Sequence, residues 1–344
     1  MKLRTYCAMD LHHSHTVFEA QGAGGAVICR KDVPTERQYL IDVVGLVPGP
    51  KGIVIEEGPM ADWAMRVLQP YVTEVIVCDP RRNRLVTDDG DKTDDIDPGK
   101  LIGLYRWNAL RPVHHPAKQS MMDLRGWVWS YHDQVKLVVA AKNKLKAAFR
   151  GAGLQYSDGN VYRPAEREQW LAKLVRASTR DRVAEIYGNV DELTARRDRM
   201  HERLTRIARR HPVTRRFLDI PGYGPVRALT FLVVVDTPFR FTSPQKLWRY
   251  AGLGLRRKQS GDPDRVKKYP GQQYNRHLKE VAWGATKSAL FGSVVNPFQR
   301  RYERLCTRGL REPLAELTVA RKLIAVPWGL WKSGTDYNPT LVGC

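Results

Sequence analysis

An acidic stretch stands out in a chain that is otherwise strongly basic. Six of the ten residues from 88 to 97 are aspartates, although the whole chain of 344 residues carries a formal net charge of +21. Like charges this close repel one another, so the stretch needs either full solvation or a cation. A solvated acidic loop is the ordinary explanation for such a run. An EF-hand calcium loop is not indicated, because the aspartates do not alternate and no glutamate closes the loop.

Four carboxylates from three places in the chain could together form a metal site. Asp10 follows the first predicted strand, and Glu56 ends the apolar run IVIE. Carboxylates at the ends of buried strands lie at the rim of a sheet, where ligands usually bind. Asp94 and Asp97 are three residues apart at the start of a helical segment, so both can face the same side. Such a set would hold two Mg²⁺ (or Mn²⁺) ions about 4 Å apart and polarise a phosphodiester.

A second candidate for chemistry is Ser260, in the sequence KQSG. The residues that precede it are basic, namely Arg256, Arg257 and Lys258. Cationic groups would stabilise the negative charge that develops when a serine attacks a phosphodiester. Serine is a poor nucleophile unless a base or a metal activates it. The motif alone is weak, since most serines beside glycine are turn residues.

The composition favours a polyanionic partner. Lys and Arg number 57 against 36 Asp and Glu, and the isoelectric point is near 9.9. Nucleic acid is therefore the expected partner class. The longest apolar run, 228–235, is interrupted by Thr230, and the first residues lack the apolar core of a signal peptide, so we expect no membrane span and a cytoplasmic, nucleoid-associated protein. The five scattered cysteines include no CxxC pair and indicate neither disulfides nor zinc.

The first 110 residues alternate strand and helix signals. Continuous apolar runs at 52–55 and 74–78 are typical of strands buried on both faces. The glycine-rich sequence at 22–25 predicts a turn between antiparallel strands. Together these signals predict a mixed sheet covered by helices. The predicted strands are 3–9, 15–21, 26–31, 52–55 and 74–78, with helices at 35–47 and 61–68.

Long charged helices are predicted beyond residue 112, at 118–150, 164–178 and 180–211. In the last of them apolar residues recur at helical spacing and form a seam for a partner helix, as in a coiled coil. The seam residues are Val183, Ile186, Val190, Leu193, Leu204 and Ile207.

Nine arginines lie between residues 196 and 216, more than a solvated helix face requires. We prefer a helix that faces nucleic acid over a plain charged surface. The predicted contacts are Arg206, Arg209 and Arg210.

The sequence IPGYGP at 220–225 predicts a tight turn between two helices. Pro221, Gly222 and Gly224 supply the backbone freedom, and a helix follows at once. This arrangement is similar to a helix-hairpin-helix motif, whose exposed backbone N–H groups bind phosphates without reading bases. The alternative is an ordinary corner between helices. Gly222 and Gly224 are therefore predicted nucleic-acid contacts.

Taken in order, several fragments of the chain resemble the DEDD-type transposases of the insertion sequence one-ten family, which are bridge-RNA-guided recombinases. The order and spacing of the fragments carry the resemblance over nearly the whole chain. The fragments are MDLHHSHTVF, IVIEEG, VIVCDPRRNRL, KTDDID, IPGYGPVRAL, FRFTSPQKLWRYAGLGLRRKQSG and ARKLIAVPWGLWKSG.

The resemblance implies three domains. Residues 1–112 would be a RuvC-like, RNase-H-type α/β domain, residues 113–212 a long helical, coiled-coil-like segment, and residues 213–344 a mainly helical transposase domain. The metal-binding tetrad of the family falls on Asp10, Glu56, Asp94 and Asp97, and its nucleophilic serine falls on Ser260.

The resemblance also implies partners. Family members are expected to act as homodimers or homotetramers that pair the acidic site of one subunit with the serine of another. A structured guide RNA encoded by the element is expected to select the target and donor DNA.

The chain departs from the family pattern at several places, including the loosely matched basic stretch KKYPGQQYNRHLK beyond Ser260, and two of the departures concern the tetrad. Glu57 directly follows Glu56, so either glutamate could be the ligand, and Glu56 is preferred because it directly follows the apolar run. Pro98 suits the first turn of a helix, which would make Asp97 its N-cap.

Two other functions are compatible with the same residues. One is a metal-dependent nuclease of the Holliday-junction-resolvase kind, in which water attacks and Ser260 plays no part. The other is a nucleic-acid-binding protein without catalysis, in which the four acids are a relic.

Overall fold

The computed structural model describes residues 3–79, 98–116, 118–156, 160–258, 267–270 and 274–342. The chain forms two compact units, residues 1–117 and 118–344. The division into three functional domains at residues 112 and 212 stays a prediction.

The first unit is built on a five-stranded mixed sheet with the strand order β3-β2-β1-β4-β5. The strands are β1 (Thr5–Leu11), β2 (His15–Gly22), β3 (Val27–Pro34), β4 (Lys51–Glu56) and β5 (Glu74–Cys78). The first three are antiparallel neighbours, whereas β4 runs parallel to both β1 and β5. The predicted mixed sheet is confirmed, and its assignment to the RNase-H type stays a prediction.

Helices cover both faces of this sheet. The helices α1 (Arg37–Gly45) and α2 (Ala61–Leu68) pack on one face, against alternate strand residues such as Met9 and Ile55. The helix α3 (Pro98–Arg106) packs on the other face, against Ala8, Val54 and Cys78. Side chains alternate along a strand, so two apolar faces are the expected product of continuous apolar runs.

The direction of α3 is fixed by Tyr105, near its carboxyl end. The Tyr105 hydroxyl donates to Glu74 Oε1 at 2.5 Å, and its ring packs edge-to-face on Tyr6 with centroids 5.2 Å apart. Gly52 leaves the space that the Tyr105 ring occupies. Tyr6, Gly52 and Glu74 all lie at the amino ends of parallel strands. The amino end of α3 therefore points towards the carboxyl ends of those strands.

The second unit begins with two long antiparallel helices, α4 (Gln119–Gly151) and α6 (Ala177–Arg210). The predicted helix over 164–178 is wrong in extent. A 3₁₀ turn is followed by the short helix α5 (Arg167–Ala172) and then by non-helical chain up to Arg176. The chain reverses direction in this non-helical stretch. Leu174, which lies in the stretch, is buried in the same core as Phe149.

The predicted seam of α6 packs against α4. Val183 contacts the core around Phe149 of α4, whereas Leu204 shares a core with Val128 at the opposite end of that helix. Midway between them, Gln134 Nε2 donates to the carbonyl oxygen of Leu193 at 2.9 Å. Val183, Val190 and Leu204 are buried, and Ile186, Leu193 and Ile207 are half-buried. The seam prediction is confirmed.

The remaining helices share one apolar core with α8, every residue of which is buried from Ala228 onward. A two-stranded antiparallel ribbon is inserted between α9 and α10. The helices are α7 (Pro212–Phe217), α8 (Pro225–Val235), α9 (Pro244–Tyr250), α10 (Arg276–Phe291), α11 (Pro297–Thr307) and α12 (Glu312–Ser333), and the ribbon strands are β6 (Leu255–Lys258) and β7 (Lys267–Pro270).

Short 3₁₀ helices complete the secondary structure of the described residues. They are Gln69–Tyr71, Asn160–Tyr162, Pro164–Glu166, Pro238–Arg240 and Pro339–Val342. Within the described part of the chain, no helix has the combination of length and apolar character needed to cross a bilayer.

We expect Gly52→Ala to destabilise the first unit, because a Cβ at this position would overlap the Tyr105 hydroxyl and approach Leu3 Cδ1 to 2.8 Å. Overpacking of this kind typically lowers the free energy of unfolding by about 1–3 kcal/mol. Guanidinium denaturation followed by circular dichroism measures the loss. Gly45→Ala is the matched control, since no heavy atom lies within 4 Å of the added methyl group. Equal midpoints for the two variants would contradict the packing of α3 on β4.

Candidate nucleic-acid interface and acidic edge

Asp10 and Glu56 are neighbours at the carboxyl edge of the sheet. Met9 is paired in register with Ile55 on the parallel strand, so the next residue on each strand is Asp10 and Glu56. Adjacent strands lie about 4.8 Å apart. By alternation both carboxylates lie on the face that α3 covers, and both are half-buried.

The geometry distinguishes the two adjacent glutamates. Glu57 is exposed, and its backbone N–H donates to the carbonyl oxygen of Cys78 at 2.9 Å, which continues the strand pairing by one residue. Because side chains alternate, Glu57 belongs to the opposite face of the sheet. Glu56 is therefore the glutamate that shares a face with Asp10.

The described part of the acidic edge is a pair of carboxylates with one histidine beside it. His12 Nε2 lies 3.0 Å from Asp10 Oδ2, and the His12 ring stacks on His15 with centroids 4.6 Å apart. No three His, Cys, Asp or Glu side chains among the described residues come together as a metal site. Asp94 and Asp97 lie outside the described residues. Of the predicted tetrad, the structure therefore describes only Asp10 and Glu56.

Ser260 also lies outside the described residues. The chain reaches it through β6, whose Lys258 is paired in register with Lys267 of β7. Arg256 and Arg257 lie on the same strand. Residues 259–266 thus connect the two strands of a ribbon whose sequences, LRRK and KKYP, contain five basic residues.

The arginines of α6 form a stripe along one side of the helix. Positions three and four apart lie on one face of a helix, and fourteen residues at 1.5 Å each span about 21 Å. The members of this arginine stripe are Arg196, Arg199, Arg203, Arg206 and Arg210, and all five are exposed. The predicted contact Arg209 is exposed as well, but it lies roughly 60° further round the helix than Arg206.

The arginine stripe has little internal neutralisation. Among the described residues, Arg206, Arg209 and Arg210 form no ion pair, whereas Arg197, outside the stripe, pairs with Asp198 at 2.6 Å. Arg203 instead lies 3.8 Å above the ring centroid of Trp127 in a cation–π contact. The stripe is thus a line of positive charge open to an external polyanion.

The turn between α7 and α8 rests directly on α10. Gly222 has φ +90°, and a Cβ there would collide with the carbonyl oxygen of Ala285, so packing alone requires glycine. Gly224 caps α8 and lines a cavity of about 480 Å³. Arg227 Nη1 donates to the Gly222 carbonyl at 2.8 Å and to Ser288 Oγ at 2.9 Å. The turn leaves Gly224 accessible, and the helix-hairpin-helix assignment stays a prediction.

A row of rings beside this turn was not anticipated from the sequence. Its members come from three helices, and they are Trp129, Tyr131, His132, His201 and His277. Burial lowers the pKa of both His132 and His277, and the proximity of His277 lowers that of His132 further. The only sequence signal was the aromatic density of WVWSYH at 127–132.

We expect the arginine stripe to determine the salt dependence of binding to duplex DNA. Five phosphate contacts correspond to a log–log slope of about −4 to −5, and Arg206→Gln with Arg210→Gln should reduce its magnitude by about 1.8. Fluorescence anisotropy at several salt concentrations measures the slope. The pair Arg180→Gln and Arg182→Gln removes the same charge from exposed positions on the same helix. Equal slopes for the two double variants would mean that the stripe does not contact DNA.

Comparison with known proteins relates this chain to mobile elements. An IS900 insertion element protein of 42 kDa from Mycobacterium paratuberculosis is 30% identical over 133 residues, which is 38% of this chain and 32% of that protein. An IS110 insertion element protein of 43.6 kDa from Streptomyces coelicolor is 27% identical over 157 residues, which is 45% of this chain and 38% of that protein. The chain thus matches about a third of the length of these curated relatives.

The family model described as "Transposase IS116/IS110/IS902 family" matches residues 214–303. This segment begins in α7, ends in α11, and contains the glycine turn, α8, the ribbon and α10. By sequence, a segment of the helical unit is therefore similar to the model of the IS116/IS110/IS902 transposase family.

Proposed function

We propose that this chain is the transposase of an insertion element and recombines DNA through a serine nucleophile, Ser260, assisted by Mg²⁺ at the acidic edge. The observation that carries the proposal is the match of residues 214–303 to a transposase family, because that segment includes Ser260 and its basic neighbours. The net charge of +21 supports DNA as the substrate.

The geometry of the acidic edge supports the metal part of the proposal. Asp10 and Glu56 are neighbours on one face of the sheet, and the amino end of α3 points towards the same edge. Asp97 directly precedes Pro98, the first residue of α3, so chain connectivity favours its approach to this pair. Carboxylate oxygens are the ligands that Mg²⁺ and Mn²⁺ prefer.

Asp10, Glu56, Asp94 and Asp97 are the residues that would hold the metal. A bound divalent ion would neutralise the scissile phosphate and stabilise the charge that develops during strand transfer. His12 Nε2 lies 3.0 Å from Asp10 Oδ2 and would help to orient that carboxylate.

In the proposed reaction the Ser260 hydroxyl attacks a DNA phosphorus. An oxygen–phosphorus bond to serine forms while the bond from phosphorus to one strand breaks. The serine gives up its proton, and the departing strand takes one up to end in a hydroxyl. Attack by the hydroxyl of another strand reverses these changes and releases the serine. Since one phosphoester bond replaces another, rejoining needs no external energy source.

The proposal extends to partners. A structured guide RNA is proposed as a second polyanion, and the arginine stripe offers it or the DNA a positively charged track about 21 Å long. A homodimer or homotetramer is proposed because the family resemblance pairs the serine of one subunit with the acidic site of another.

Ser260→Ala should abolish both strand exchange and the covalent protein–DNA adduct, because no oxygen remains to attack phosphorus. Asp10→Asn should also stop the reaction, by weakening the metal site. Guide RNA and end-labelled DNA are incubated with each variant, and adducts are resolved on a denaturing gel. Ser130→Ala is the matched control, since Ser130 is exposed on α4 and far from Ser260 in sequence. Full cleavage by Ser260→Ala without an adduct would replace the proposal with hydrolysis by water.

The acidic edge should bind Mn²⁺ in the absence of DNA. Calorimetric titration is expected to give heat for the wild-type protein and a much smaller heat for Asp10→Asn, because one of the ligands is lost. Asp32→Asn is the control, as Asp32 is exposed on the edge strand β3. If both variants gave the heat of the wild type, Asp10 would not be a ligand.

A further inference from the structure

A cavity of about 420 Å³ lies in the helical unit at the amino end of α8. It is distinct from the acidic edge, which belongs to the other unit, and from the arginine stripe on the exposed side of α6. Its walls come from α4, α6 and α10, and its floor is the segment from Gly224 to Arg227. The volume falls in the range of pockets that hold small organic ligands.

We name this space the base cavity. Four flat rings line it, namely Tyr131, His132, His201 and His277. His277 stacks on Trp129 with ring centroids 4.1 Å apart, and His132 lies 5.1 Å from His277. Tyr131 follows at 5.9 Å from His132, and His201 at 6.0 Å from Tyr131. A continuous row of rings offers stacking surfaces to a planar ligand.

The polar atoms of the base cavity suit a nitrogen heterocycle. The Thr230 hydroxyl donates to the Val226 carbonyl at 2.7 Å, so its oxygen must accept from His132 Nε2, which lies 2.9 Å away. Neutral His132 therefore carries its proton on Nε2 and keeps an acceptor at Nδ1. Burial lowers the pKa of both His132 and His277, which keeps both rings neutral near pH 7.

Two charged residues, Glu280 and Arg227, also line the cavity. Glu280 lies at the cavity wall with an exposed carboxylate. Its Oε1 accepts from Arg276 Nε at 3.2 Å, and its Oε2 lies 3.7 Å from His277 Nδ1. Arg227 is half-buried, and no carboxylate among the described residues pairs with it. Its guanidinium has five N–H groups, of which the Nη1 group serves Gly222 and Ser288, so donors remain for an anion.

We propose that the base cavity binds one nucleobase that has left the helical stack of a bound strand, with the adjoining phosphate at Arg227. The proposal rests on the proposed function, since it assigns a subsite to a nucleic-acid substrate. The acceptors on Glu280 and His132 favour a base with an exocyclic amino group, such as adenine, over thymine, which has none. Extruded bases are commonly held by stacking and by hydrogen bonds to their polar edge.

The experiment uses the full chain labelled with ¹³C-histidine and follows the imidazole resonances of His132 and His277 by NMR. The probes are deoxyadenosine monophosphate, thymidine monophosphate and inorganic phosphate. We expect saturable shifts with deoxyadenosine monophosphate, weaker binding of thymidine monophosphate, and no shift of these two rings with phosphate. Absence of saturable shifts with either nucleotide, or equal shifts with phosphate alone, would overturn the proposal.

Single variants test which residues of the base cavity bind the nucleotide. Tyr131→Ala should raise the dissociation constant of deoxyadenosine monophosphate about tenfold, since the aromatic face on which the base stacks is lost. Tyr131→Phe keeps the ring and should bind as the wild type does, which separates stacking from folding. Tyr39→Ala removes a half-exposed tyrosine from α1 and is the matched control. Glu280→Gln should reduce the preference for adenine over thymine.

The outcomes separate this subsite from the proposed recombination. If Ser260→Ala retains the adduct but the base cavity binds deoxyadenosine monophosphate, the serine mechanism fails and the subsite stands. If the wild type forms the adduct but Tyr131→Ala and Tyr131→Phe bind nucleotide equally, the rings do not bind the base by stacking. The proposed recombination through Ser260 would be unaffected by that result.

Discussion

The parallel pairing of β1 with β4 is the interaction on which the acidic edge depends. These strands are separated in sequence by β2, β3 and α1, yet they are hydrogen-bonded neighbours in the sheet. The pairing is stable because both strands are apolar on both faces and helices cover each face. Its register alone makes Asp10 and Glu56 neighbours. A shift by one residue would send one carboxylate to the opposite face.

The helical unit depends in a comparable way on α8. From Ala228 onward this helix is buried all round, against α4, α6, α7 and α10, so those helices keep a fixed arrangement around it. Its one polar core residue, Thr230, satisfies its hydroxyl within the helix and also fixes the tautomer of His132. The amino end of α8 has fewer neighbours than its centre, and the base cavity and the glycine turn lie there.

Charge is distributed unevenly along the chain. The arginine stripe concentrates five guanidinium groups on one side of α6, while in the first unit Asp10 and Glu56 lie together at the carboxyl edge of the sheet. In physiological salt the Debye screening length is about 8 Å. Each group of charges therefore acts mainly on ligands that are in direct contact with it. A polyanion on the stripe and a cation at the acidic edge are therefore compatible within one protein.

Hydrophobic patterning in the sequence was sufficient to predict the sheet and the long helices. The strands at 52–55 and 74–78, the helix at 61–68 and the seam of α6 lie where their apolar periodicity places them, because burial of these residues drives the fold. The sequence also located Asp10 and Glu56 at strand ends. It favoured Glu56 over Glu57 only because Glu56 directly follows the apolar run, whereas the face that each glutamate shares depends on strand register.

Only the tertiary structure decided which distant residues meet. The row from Trp129 to His277 joins side chains from three helices, and no local pattern specifies such a meeting. The break between α5 and α6 likewise follows from the need to bury Leu174 beside Phe149, against a local helical signal. The sequence determined periodicity and charge, because these are local properties. Register, helix direction and cavity walls were decided by long-range packing, which local sequence does not encode.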